Sequence, residues 1–285
     1  MQTNESKIVR ITFKAESPKV SSGAMGSILK TGNKALFCGG DTLGKGCLIL
    51  NGGSNGNWVD GPDMNFKRAY AGMSAVRDGL LVTGGFGDTI EDTIEYYDGQ
   101  NWRLLKSDLD DGLFGHCQVS IDANTTFIIG GRSLTSGITD KTWFITILSL
   151  KEGQEVVEFN EGPKLLDARH NLACVYDAET KAVLVVGGSE NEITTEILDL
   201  ESPNLEWKQG PDLPNNSPLE NAQLIINPDY GTLLIGGNNP TTDSAKSAPW
   251  KLVDLEQWQY VPQLQLQTPR TAFVAFNIPS SFLKC

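Results

Sequence analysis

Short apolar runs, each closed by a pair of glycines, recur along the chain. They are ALFCGG at Gly39-Gly40, LLVTGG at Gly84-Gly85, TFIIGG at Gly130-Gly131, VLVVGG at Gly187-Gly188 and LLIGG at Gly236-Gly237. Runs this short, punctuated by glycine and polar turns, predict β-strands. A large aromatic follows each pair: Trp58, Trp102, Phe159, Trp207 and Trp258. Three of these lead into a Gly-Pro turn, at Gly61-Pro62, Gly162-Pro163 and Gly210-Pro211. From aromatic to next glycine pair the gap is nearly constant, at 26, 28, 28 and 29 residues. From glycine pair to aromatic it varies, and residues 132–142 form a long insertion in the third unit. A constant half and a variable half predict a rigid hairpin core with one exposed loop.

Each unit reads as four short strands. In the second, AYAGMSAV is a strand, Arg77-Asp78-Gly79 turns, LLVTGG is a strand, TIEYY is a strand, and Asp98-Gly99-Gln100 turns into a last strand around Trp102. Antiparallel strands joined by short polar turns form a meander. The paired glycines mark a crowded strand exit. Each tryptophan carries more apolar area than one sheet can bury alone, so neighbouring sheets must stack. Radial repetition of such sheets is a propeller.

The order of apolar strand, glycine pair, variable loop, Tyr-Asp-like strand and tryptophan resembles the kelch repeat. Tyr97-Asp98 before Trp102 matches that pattern well, and Leu198-Asp199 before Trp207 and Val253-Asp254 before Trp258 match it more loosely. The third unit has Phe159 in place of tryptophan and no Tyr-Asp pair, and the fifth lacks the Gly-Pro. The resemblance covers almost the whole chain and implies an all-β fold, a single kelch-type β-propeller over residues 1–285. Five full repeats fall at about 20–64, 65–108, 109–166, 167–214 and 215–266. Phe13 precedes Gly39 by the same 26 residues that separate Trp58 from Gly84, so residues 7–14 read as an outer strand. TAFVAFNIP, from Thr271, reads as an inner strand. The expectation is six four-stranded blades, the sixth built from residues 267–285 and strand 7–14, closing the ring without an open seam.

Composition narrows the partners. The chain has 285 residues and a formal net charge of −12, which disfavours nucleic-acid phosphates and anionic lipid surfaces. No apolar run approaches the ~20 residues of a membrane span, and no basic-then-apolar leader is visible, so the expected location is the cytoplasm. The five cysteines (Cys38, Cys47, Cys117, Cys174 and Cys285) include no close CxxC pair. They read as reduced, buried small hydrophobes, although Cys38 and Cys47 could face each other across one hairpin. Neither a metal site nor a cofactor is expected.

In a kelch propeller the loops after each glycine pair and those leading into each inner strand share one face, and the resemblance implies that this face takes the partner. Arg68, Arg169 and Arg270 recur just before the inner strands, and Arg132 follows a glycine pair. The resemblance implies an arginine cluster, with His170 beside it, recognising an acidic peptide segment, since guanidinium forks suit carboxylates. The competing reading, which carries the greater weight, has these arginines bonding backbone carbonyls between blades. His116 and His170, near the starts of inner strands, could act as ligands or acid–base groups, but they fit the polar residue that kelch units often carry there. No Gly-x-Ser-x-Gly elbow, P-loop or His-Glu-x-x-His motif occurs. The expected function is a protein-interaction scaffold and not an enzyme. An enzyme acting on a sugar or small metabolite in the central cleft is the alternative.

Overall fold

The five apolar runs become the second strands of five antiparallel sheets, each built in the order of the sequence. A computed structural model describes residues 22–29, 34–52, 58–151, 154–188, 193–242 and 244–275. The first sheet contains Met25–Ile28, Lys34–Cys38, Cys47–Asn51 and Trp58–Asp60, and the second Gly72–Val76, Gly79–Thr83, Ile94–Tyr97 and Trp102–Leu104. The third contains Cys117–Ser120, Thr125–Ile129, Thr142–Lys151 and Gln154–Glu161. The fourth contains Ala173–Asp177, Ala182–Val186, Thr195–Asp199 and Trp207–Gln209. The fifth runs Glu220–Asn227, Gly231–Asn239, Trp250–Val253 and Gln257–Tyr260, with Ser244–Ala245 paired to its second strand. The insertion at 132–142 folds into Arg132–Ser133 and Gly137–Ile138, which join Leu113–Phe114 in a small three-stranded sheet. The fold is all-β, and its repeated four-stranded sheets are compatible with a propeller.

The core lies between the sheets. Every residue of Gly79–Thr83 is buried, because alternate side chains of a strand face opposite ways and both faces are covered. Leu80 and Val82 pack with Leu36 and Met64 toward the first sheet, while Leu81 packs with Ile128 and Ile145 toward the third. The same division recurs between the third and fourth sheets and between the fourth and fifth. Tryptophan ties sheet to sheet: Trp102 Nε1 donates to Pro62 O at 3.1 Å, and Trp207 Nε1 to Pro163 O at 2.9 Å. The Gly-Pro turn of one unit is therefore the acceptor for a later unit's tryptophan. Phe159 holds the matching register, opposite Ile145, but is 36% exposed.

The glycine pairs are the seams. The second glycine's N–H donates to the sheet that follows, Gly40 to Arg68 O, Gly85 to Leu113 O and Gly131 to Arg169 O, each at 2.7 Å. Gly188 to Leu219 O and Gly237 to Arg270 O follow at 2.9 and 2.8 Å. Gly84 has φ +60, and a Cβ there would lie 2.2 Å from Leu113 O, so no larger residue fits.

Two expectations change. The four described cysteines are not reduced: Cys38–Cys47 and Cys117–Cys174 are disulfides, and Cys285 lies outside the described residues. The first joins directly opposed residues of one hairpin, and the second links the inner strands of the third and fourth sheets. Residues 271–275 form no strand, although Ala272 is hydrogen-bonded to Asn221 O. Strand 7–14, Phe13 and residues 276–285 lie outside the described residues.

Candidate functional site

Six residues at matching places in the repeat adopt a left-handed backbone, with φ between 47° and 74°: Gly23, Tyr70, Gly115 and Asn171, each two residues ahead of an inner strand, Asn221 near the start of Glu220–Asn227, and Ala272. These residues bond to one another in series. Tyr70 N–H donates to Gly23 O at 2.8 Å, Gly115 to Tyr70 at 2.7 Å and Asn171 to Gly115 at 2.6 Å. Asn221 donates to Asn171 at 2.8 Å, Ala272 to Asn221 at 3.1 Å, and Gly23 back to Ala272 at 3.3 Å. The hydrogen bonds thus form a closed cycle. Loops after the glycine pairs are tied to the segments leading into the cycle, through Ala69 with Phe86, Phe114 with Arg132 and Glu220 with Asn238. The two sets of loops consequently share one face.

Aromatic side chains populate one half of that face. Phe86 is 50% exposed, its ring lies 5.9 Å from Phe114, and Phe114 meets the His170 ring edge-on at 6.3 Å. Tyr70 bonds Ser22 Oγ at 2.9 Å. Arg132 is exposed beside Phe114, and Arg270 is exposed further round. The other half is polar, with the Asn238 amide donating to the Glu220 carboxylate at 3.0 Å and accepting from the Thr271 hydroxyl at 2.5 Å.

Arg68 and Arg169 are not on this face's surface. They are 1% and 0% exposed, and each is saturated by its own sheet. Arg169 Nε and Nη2 donate to Glu196 Oε1 at 3.0 and 2.7 Å, Nη1 to the carbonyls of Gly187 and Thr194, and Nη2 to Thr194 Oγ1. Arg68 repeats this with Glu95, Gly84 and Thr93. The carboxylates also accept backbone N–H groups of the incoming loop, Leu166 and Asp167 at Glu196, and Asn65 and Phe66 at Glu95. A buried charge pair satisfied on both sides is a structural clamp. It places both arginines out of a partner's reach, which corrects the expectation of an arginine cluster at the opening.

Beneath the aromatic half, a polar seam joins the second and third sheets. His116 Nε2 accepts the Gly72 N–H at 3.1 Å and lies 2.9 Å from Thr83 Oγ1. Thr83 donates to Gln118, and Gln118 donates to Ser74 and to Leu81 O. Burial pushes the imidazole pKa down to about 3, with Arg68's charge adding to the effect, so His116 is neutral at ordinary pH. Among the described residues no group of three or more His, Cys, Asp or Glu could hold a metal ion, and no helix is long and apolar enough to cross a membrane.

The sequence reading overlooked Tyr70, Phe86 and Phe114. Their signal was present in the repeat alignment: Phe86 directly follows Gly85 as Arg132 follows Gly131, and Phe114 occupies the place of His170.

Neither a protein-family model nor a curated protein matches the chain. Solved structures do match. The one described as "Structure of YjhT" superposes over 93% of this chain and 90% of that one, with a TM-score of 0.75 and 14% identity. The two chains share a fold.

Proposed function

We propose that the chain is a six-bladed kelch-type β-propeller that binds a partner protein or peptide through the face carrying Tyr70, Phe86, Phe114, Arg132 and His170. The closed cycle of hydrogen bonds through six residues at matching places in the repeat supports six blades, and the tryptophan-to-proline ties support the kelch reading. One observation carries the functional part: Phe86 is half exposed and touches Phe114 from the next unit, beside an exposed Arg132. Aromatic residues with a neighbouring arginine, held on rigid strands, are the composition of interaction hot spots. Arg132 and Arg270 keep the capacity to meet acidic side chains that the buried arginines lack. The reading is one of binding, in which His116, buried with its Nε2 engaged, has no direct part.

The two disulfides support an oxidising working compartment in place of the cytoplasm. The test of function is affinity capture followed by measurement with the purified partner. Phe86→Ser/Arg132→Ser is expected to weaken binding by about tenfold or more, the effect of losing ~1.4 kcal/mol. Unchanged affinity in a variant that melts like the parent would place the partner elsewhere.

A further inference from the structure

The buried arginine–glutamate clamp alternates with something else. The carbonyl that answers the second glycine belongs in turn to Arg68, Leu113, Arg169, Leu219 and Arg270. Two residues before the first glycine, the cross-strand neighbour is Glu95 in the second sheet, Trp143 in the third, Glu196 in the fourth and Trp250 in the fifth. The exchange is concerted: arginine goes with glutamate, leucine with tryptophan. Leucine lacks the reach of arginine, and tryptophan accepts nothing from the incoming loop. Where the clamp is missing, a cavity opens between loop and sheet, of about 200 Å³ in the third sheet and about 410 Å³ in the fifth.

The two cavities differ in charge. In the fifth sheet Lys246 is, among the described residues, the one charged side chain lining the space beside Leu219 and Trp250. In the third, Leu109, Leu113, Trp143 and Phe159 form an apolar and aromatic lining. Asp108, Asp110, Asp111 and Glu161 surround it, with Lys141 the one cation of the lining among the described residues. Asp111 accepts the Thr135 hydroxyl at 2.6 Å and amide at 3.3 Å. These bonds outweigh desolvation and keep its carboxyl below the usual range, so it stays ionised. Asp108 is pushed the other way, by desolvation and by the charge of Asp92. Four acidic side chains against one lysine give the described lining a net negative formal charge.

We propose that the third-sheet cavity binds an alkylguanidinium group, the side chain of an arginine on a partner protein. The aromatic rings of Trp143 and Phe159 offer a surface to the stem and to the cation. The carboxylates around the cavity suit the guanidinium fork. A partner's arginine would occupy from outside the place that Arg68 and Arg169 fill from inside their own sheets. The volume is below the ~300 Å³ at which pockets for whole ligands begin, and fits one side chain. None of the residues lining this cavity is among those assigned to the proposed binding face, and the proposal does not depend on the role of that face.

Ligand-observed NMR with acetyl-Gly-Arg-Gly-amide, and with its neutral citrulline counterpart, tests the assignment on the full chain. Saturable binding of the arginine peptide is expected, about tenfold weaker with citrulline. Leu113→Arg/Trp143→Glu refills the cavity with the clamp of the neighbouring sheets and is expected to abolish binding. Leu219→Arg/Trp250→Glu and Phe86→Ala should leave it unchanged. Asp111→Asn/Glu161→Gln, which leaves the packing in place, should weaken it if the refilled chain does not fold. No saturable binding, equal response to both peptides, or binding that survives both cavity variants would overturn the proposal.

Discussion

Substituting Arg169 by methionine isolates the energetics of the clamp. Five hydrogen bonds from the guanidinium would be lost, and Glu196, 1% exposed, would remain buried with only the Leu166 and Asp167 amides to hold its charge. Breaking one partner of a buried pair costs about 3–5 kcal/mol, mostly as the uncompensated charge left behind. Replacing both partners is a different perturbation. Arg169→Leu/Glu196→Trp installs the pair that the third and fifth sheets already use, and removes the buried charge altogether. Apolar replacement of a whole buried pair is often close to neutral. The single substitution should therefore be the more destabilising by about 2 kcal/mol or more, although it changes fewer residues. Urea unfolding followed by tryptophan fluorescence and by far-UV circular dichroism measures both variants. A single variant within about 1 kcal/mol of the parent would refute the reasoning. So would a double variant that costs the sum of its two single substitutions.

Other consequences can be checked directly. His116 has a folded pKa of about 3, below its unfolded value, so the unfolded chain binds a proton that the native one does not. Its contribution is present above about pH 6.5 and falls by ~1.4 kcal/mol per unit as pH drops toward 3. His116→Gln should remove that slope from urea midpoints taken at pH 7 and pH 5. The Cys117–Cys174 bridge closes 57 residues and Cys38–Cys47 closes 9. Loop entropy then assigns about 4 and about 2.6 kcal/mol to them, so Cys117→Ser/Cys174→Ser should lower the melting temperature more than Cys38→Ser/Cys47→Ser. A non-reducing peptide map should recover both pairings. Trp102→Phe keeps one aromatic ring but loses the pyrrole ring and its bond to Pro62 O, at an expected ~1 kcal/mol or more in denaturant titration.

The strands and their order were legible in the sequence because the rules that set them are local. Glycine pairs at strand exits, polar two- and three-residue turns and strand-length apolar runs depend on neighbouring residues, and Gly84 shows why no other residue would serve. Spacing also placed Arg68, Arg169 and Arg270 at one repeat position, and the backbone carbonyls at that position do answer successive glycine pairs. What the arginines do there was decided across the fold. Burial of Arg169 depends on Glu196, two strands and 27 residues away, and on loop amides that share its carboxylate. The Cys117–Cys174 bridge likewise needs two inner strands side by side, which no spacing rule provides. The aromatic patch and the acidic cavity are also products of assembly. Phe86 meets Phe114 only because one unit's loop is tied to the next, and the cavity exists only because leucine and tryptophan, 30 residues apart at 113 and 143, leave unfilled what arginine and glutamate fill elsewhere. Local conformation is written in short stretches of chain, whereas burial, pairing and empty space are properties of surfaces brought together from different repeats.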